Sequence, residues 1–306
     1  MGDTFYAGTY TDRKAEGIYR FSFNEGKLSD PCLFVKIADP KYLCSFKDYL
    51  ACVCGIADRS GIALIDRQGN IVCQVAYEDK GSCYIAANAD KIYTANYHLG
   101  TVSVCEYKDG DLKHRRTQLI KDKGGCHQIL FHEDYILVPS LFLDRIVIFD
   151  EELKEKGYID FPQGSGPRHG VFSKDHHYLY VLTELSNELF KIDMDTLKIV
   201  SSVGVLPDGK RDLEGSAAIR MSEDERYIYA STRFENVLSV ISADEMKLLQ
   251  VRDCGDHPRD FILKDKYLLC ADRFDDAVVC FKLKDGLITE EVSRLSIPDG
   301  VAILEW

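Results

Sequence analysis

One short β-like segment returns seven times along the chain: IYRFSF from Ile18, IALID from Ile62, VSVCEY from Val102, IVIFD from Ile146, LFKID from Leu189, LSVIS from Leu238 and VVCFKL from Val278. Successive copies lie 44, 40, 44, 43, 49 and 40 residues apart. A period of this length matches one four-stranded blade, and seven such units fit a β-propeller. A second series runs out of phase with the first, each copy reading strand, tight polar turn, strand. Its turns, FKDY, NADK, HEDY, SKDHH, SEDER and LKDK, are rich in the Asp, Asn and Ser that hairpin turns favour. That series has six members. The C-terminal VAILEW, from Val301, supplies the missing strand, and DTFYAGTYT, from Asp3, its neighbour.

The expected fold is therefore all-β, a seven-bladed β-propeller of four-stranded antiparallel blades, with the N- and C-terminal strands sharing one blade and closing the ring. Residues 1–306 form a single domain. The longest helix candidate, 242–249, reads equally well as a turn followed by a strand.

Composition narrows the partners. Fifty acidic side chains against 38 basic ones give a net charge of −12. This disfavours nucleic acid and anionic membrane surfaces, both of which attract basic proteins. No apolar run is long enough to span a bilayer. The N-terminal residues lack the basic and apolar regions of a signal peptide, so a cytoplasmic location is the expectation. Eleven cysteines fall mostly in apolar runs and read as reduced, buried thiols. Cys52 and Cys54 have no second Cys/His pair at metal-ligand spacing, so neither a metal nor a cofactor is expected.

In a propeller the start of each innermost strand and the end of the second strand share one rim. His127, Arg168, His169, His257 and Arg259 lie at or near the starts of innermost strands. Counting five positions back from the apolar residue that opens the third strand gives Tyr97, Glu184, Arg233 and Arg273. One rim thus gathers four arginines, and guanidinium groups suit carboxylate or phosphate. A bound anion is the implied ligand. Pro167 and Pro258 open their strands and stiffen the approach to Arg168 and Arg259. In a regular strand His169 points away from Arg168, which would make it a packing or supporting residue.

Several of these stretches resemble one known family. GTYT at 8–11, GCH at 125–127, DRI at 144–146, GSGPRH at 164–169, TELSN at 183–187, STR at 231–233 and HPRDF at 257–261 look like the seven-bladed propeller lactonases, above all bacterial 6-phosphogluconolactonases of the propeller type. The resemblance implies metal-independent hydrolysis of a sugar-acid lactone, with His127, Arg168, Glu184 and Arg233 as the catalytic set. His169, His257, Arg259, Arg273 and Tyr97 are the expected substrate-binding residues. The expected partner is a small anionic lactone or sugar acid, and the chain a monomer or weak homodimer. Ser140, Phe142, Ala218 and Arg220 depart from the family's common pattern. Two other activities suit a propeller with such a rim. One is a lactonising cycloisomerase of the carboxymuconate type. The other is a non-enzymatic binding platform, which would expose an apolar or aromatic patch on a rim.

Overall fold

In the computed structural model, residues 2–207 and 214–306 are described. Their strands assemble into seven antiparallel four-stranded sheets. Six sheets follow chain order from the axis outward. Blade 5, for example, runs Pro167–Phe172, Tyr178–Thr183, Glu188–Asp193 and Lys198–Gly204. Blade 1 instead places Gly300–Glu305 innermost, beside Asp3–Thr9, then Gly17–Asn24 and Lys27–Lys36. The repeated segment of the sequence is the third strand of every blade. Residues 243–246 are a turn leading into the strand Lys247–Asp253, the second of the two readings the sequence left open.

Alternating strands present one apolar face to each neighbouring blade, so the core is divided among the blade interfaces. Between blades 7 and 1, Phe5, Phe21 and Phe23 pack against Leu269, Val278 and Cys280. Between blades 5 and 6, Leu182 and Leu189 meet Ile228 and Val237. Cys52 and Cys54 are buried in the interface between blades 1 and 2. All eleven cysteines are free thiols.

A second device fixes where each innermost strand begins. Asp144, Asn187, Asn236 and Asp276 occupy one place in the loop between the second and third strands of blades 4 to 7. Each adopts left-handed backbone, with φ of 51°, 51°, 55° and 51°, a conformation that Asp and Asn tolerate better than most residues. Their side chains accept backbone N–H groups from the connection into the next blade. Asp144 takes Gly164 and Gly166 at 2.8 and 2.9 Å. Asn187 takes Ser216 at 3.0 Å, Asn236 takes His257 at 3.0 Å, and Asp276 takes Asp299 at 3.1 Å. These clasps tie the rim of one blade to the first residues of the next.

Blade 4 departs from the regular pattern. Its innermost strand is only Leu130–His132, and a short 3₁₀ turn at Leu141–Leu143 follows its second strand. His127 therefore lies before the strand, not at its first residue. A Cys126–Ser140 bridge and a 3.0 Å bond from His127 N–H to the Pro139 carbonyl hold it.

Ring closure rests on the pairing of Phe5, Ala7 and Gly8 with Glu305, Ile303 and Ala302. Trp306 packs edge-on against Tyr6 at 5.3 Å, with the Arg67 guanidinium 4.0 Å above its ring. Val301 and Ile303 are 2% and 5% exposed, and burying each aliphatic side chain contributes about 2 kcal/mol. Removing residues 301–306 strips those contacts together with the ladder hydrogen bonds. The expected result is loss of several kcal/mol from the whole domain, seen as one cooperative melt shifted to lower temperature by circular dichroism. A main transition at the wild-type temperature would contradict this closure.

Candidate active site at the axial mouth

The mouth is built by an irregularity repeated in three blades. In blades 5, 6 and 7 the pairing of the first two strands slips at the rim, between Pro167 and His169, between Ser216 and Ile219, and between Pro258 and Asp260. A bulge leaves a residue unpaired and re-aims side chains. Here the unpaired residues include Arg168 and Arg259, which turn to the axis. The regular alternation expected for Arg168 and His169 is thereby broken. Both line the same axial cleft, a correction to the opposed orientation read from the sequence.

Arg168 is 1% exposed. Its Nε lies 2.7 Å from Oε2 of Glu184, and its Nη1 donates to the Ala217 carbonyl. Arg233 approaches Oε1 of the same carboxylate at 2.8 Å and donates from Nε to the Gly215 carbonyl at 3.0 Å. Glu184 is thus held in a fork, one oxygen to each arginine. Burial alone would raise its carboxyl pKa, but Arg168 and Arg233 outweigh burial and hold it below the ordinary range. Burial draws the Arg168 guanidinium down to about 10 against the pull of Glu184, so it remains charged.

Above this fork is a cavity of about 190 Å³ lined by Tyr10, Lys41, Gly81, Cys83, Tyr97, His98, His127, Glu184, Arg233 and Arg259. Its floor narrows to a nearly closed cleft between Tyr42, Cys83, His127, Arg168 and His169. His127 and His169 meet there, Nδ1 to Nε2, at 3.1 Å. Arg259 donates to the Tyr10 hydroxyl at 3.1 Å, and Lys41 Nζ sits 5.4 Å from the Tyr10 ring. A larger hollow of about 720 Å³ opens among the hairpin turns of the opposite rim. Its lining carries Glu223, Asp224, Asp265 and Asp285 against two lysines, the wrong balance for an anion.

The structure therefore brings His127, Arg168, Glu184, Arg233, Arg259, Tyr97 and His169 around one cleft. Two expected ligand contacts lie outside its lining. Arg273 stacks 4.1 Å over Tyr10 and pairs with Asp12 at 3.1 Å and Asp299 at 3.7 Å. It braces the closing blade. His257 has its ring between Phe234 and Phe274, at 5.6 and 4.6 Å, behind the wall.

Lys41 and Tyr10 were missed from the sequence, and each carried a signal. Pro40-Lys41 repeats the pattern of Pro167-Arg168 and Pro258-Arg259 at the start of blade 2. Tyr10 follows the second strand of blade 1 as Glu184 and Arg233 follow theirs. A longer loop before Ile18 hid it from the five-residue count. Among the described residues, no group of three or more His, Cys, Asp or Glu side chains is arranged to hold a metal.

Fold and mouth together define a propeller with a small cationic cleft on its axis. The chain matches the family described as "Lactonase, 7-bladed beta-propeller" over residues 4–305, and it belongs to that family. It is 26% identical to the 6-phosphogluconolactonase of Bacillus subtilis, with 97% of each chain covered. A Lactobacillus plantarum protein of known structure superposes with a TM-score of 0.91 at 28% identity, covering 99% of both chains. The periplasmic gluconolactonase of Pseudomonas aeruginosa shares the fold, with a TM-score of 0.89 at 21% identity over 99% of both chains.

The buried charges set a pH dependence of stability. Burial and the neighbouring arginines push His127 and His169 well below the ordinary histidine pKa, and His257 down to about 3. The folded pKa values lie below the unfolded value of about 6.5. Below that pH the unfolded chain binds protons that the native state refuses, and stability falls as pH drops. Asp272 opposes them, since burial raises its carboxyl to about 7 and favours the folded state as pH falls. Three histidines against one aspartate leave a net loss, each unbalanced proton contributing up to about 1.4 kcal/mol per pH unit. Urea midpoints measured at pH 7.5, 6.0 and 5.0 should fall in that order. A constant or rising midpoint would overturn this balance.

Proposed function

We propose that the protein hydrolyses a sugar-acid lactone at the axial mouth, with 6-phosphogluconolactone as the substrate that suits it best. The observation carrying this reading is the charge of the cleft. Arg168, Arg233, Arg259 and Lys41 surround a single carboxylate, Glu184. With the histidines held neutral, the site has a surplus of positive charge that an anionic substrate can neutralise. The family assignment and the name of the Bacillus subtilis relative support the chemistry.

In the reaction, water adds to the lactone carbonyl carbon and the ring C–O bond breaks. The water proton goes to an acceptor in the cleft, and the ring oxygen leaves as a hydroxyl after taking up a proton. Glu184 and His127 both reach the cavity as candidates for proton transfer. Arg168 and Arg233, each fixed at two points by Glu184 and a backbone carbonyl, are placed to steady the oxyanion and then the product carboxylate. Among the described residues Arg259 and Lys41 flank Tyr10 without a carboxylate partner, and they suit a phosphate tail. The eleven free thiols are in keeping with a reducing, cytoplasmic setting.

A kinetic comparison of phosphorylated and plain aldonolactones tests this reading. H127A should lower kcat/KM about a hundredfold or more. R259A and K41A should each raise KM about tenfold for the phosphorylated lactone and little for the plain one, as expected for one lost charge-assisted contact. Absence of turnover with every lactone would overturn the proposal.

One observation favours a second reading. Phe142, Phe234 and Phe274 each follow the rim position of their blade and are 47%, 55% and 44% exposed. An aromatic fringe of this kind is what a binding platform would display. That reading predicts no lactone turnover, and loss of a bound partner in F234A and F274A. Assaying muconate lactonisation beside hydrolysis separates the cycloisomerase alternative.

A further inference from the structure

His127 and His169 meet at the floor of the cleft with ring centroids 4.9 Å apart and planes at 69°. Both are shielded from solvent, at 4% and 3% exposure. Burial, reinforced by Arg168 and Arg259, keeps both rings neutral near pH 7. A neutral imidazole has one N–H and one bare nitrogen. A hydrogen bond between two neutral rings therefore fixes both tautomers together.

Only two arrangements satisfy the 3.1 Å contact between Nδ1 of His127 and Nε2 of His169. In the first, His127 donates from Nδ1 and shows a bare Nε2 to the cavity, while His169 carries its proton on Nδ1. In the second, His169 donates from Nε2, its Nδ1 is bare, and His127 presents Nε2–H to the cavity. The two differ in cost on the far side of His169. There Nδ1 is buried without a hydrogen-bond partner among the described residues. A buried, unpartnered N–H is rare and expensive. The cavity side does not discriminate, because water or substrate can serve either form of His127.

We infer that His169 donates Nε2–H to Nδ1 of His127, and so holds His127 with its proton on Nε2 as a hydrogen-bond donor to the substrate's carbonyl oxygen. His169 is a positioning residue that acts through His127. The assignment leaves Glu184 as the proton acceptor of the cleft. Its catalytic part rests on the lactonase reading, whereas the tautomer itself does not.

Long-range proton–nitrogen correlation spectra of the full chain labelled with 15N-histidine read the tautomers directly, with H127Q and H169Q assigning the signals. Protons on Nε2 of both rings are expected, and a proton on Nδ1 of His127 overturns the inference. Kinetics supply a second readout. In H169E the carboxylate accepts from Nδ1 of His127 and reverses its tautomer, so kcat should fall about a hundredfold with KM little changed. In H169Q the amide can still donate, and kcat should stay within about tenfold of wild type. Wild-type kcat in H169E would remove the positioning role. If H169E does not fold, the wild-type spectra decide. If wild type turns over no lactone, the lactonase reading fails while the spectra still decide the tautomer.

Discussion

The pairing of Gly300–Glu305 with Asp3–Thr9 is the constraint on which the rest depends. A row of blades without it is an arc with two open edges and no common axis. Closure gives the innermost strands one axis and makes their rim a mouth. The closing segment also reaches the site directly. Asp299, just before the strand, accepts Arg13 at 2.9 Å and the Lys14 N–H at 3.1 Å. Its carbonyl accepts the Tyr10 N–H at 3.2 Å, and the Tyr10 hydroxyl accepts Arg259. The position of Arg259 is therefore set in part by how the ring is shut.

Burying guanidinium groups at that mouth is expensive, since each loses much of its hydration. The structure meets the cost with a few fixed acceptors instead of a matching set of carboxylates. Glu184 serves Arg168 and Arg233 together, and the carbonyls of Ala217 and Gly215 take further donors. The slipped register at the start of blade 6 lies at Ala217, one of those acceptors. The same irregularity that turns Arg168 inward thus recurs where its partner is supplied. Local disorder of the ladder is the means by which a regular fold makes an irregular, charged cleft.

Much of this was legible in the sequence. The seven-fold repeat, the shared blade at closure and the convergence of His127, Arg168, Glu184 and Arg233 follow from period and phase alone. What failed was local. Alternation puts Arg168 and His169 on opposite faces, and a bulge cannot be read from a six-residue strand. Counting back from the third strand assumes loops of equal length, and the longer loop of blade 1 hid Tyr10. Arg273 has the right phase, but Asp12 and Asp299 claim it, and neither the pairing with Asp12, 261 positions away, nor that with Asp299 across the outermost strand of its blade leaves a local trace. Lys41 carried the same proline-led signature as two of the arginines and differed only in the cation.

The net charge of −12 gains a clearer meaning from this arrangement. An acidic exterior repels polyanions, yet screening at physiological ionic strength confines that repulsion to about 8 Å. A small anion can therefore approach the mouth and meet Arg259 and Lys41 at close range, in a narrow and partly desolvated cleft. The acidic hollow on the opposite rim offers no competing site. The cleft, at about 190 Å³, is of a size for a small molecule. On the proposed reading, this contrast between a net acidic exterior and a cationic axis would favour small anions over large ones.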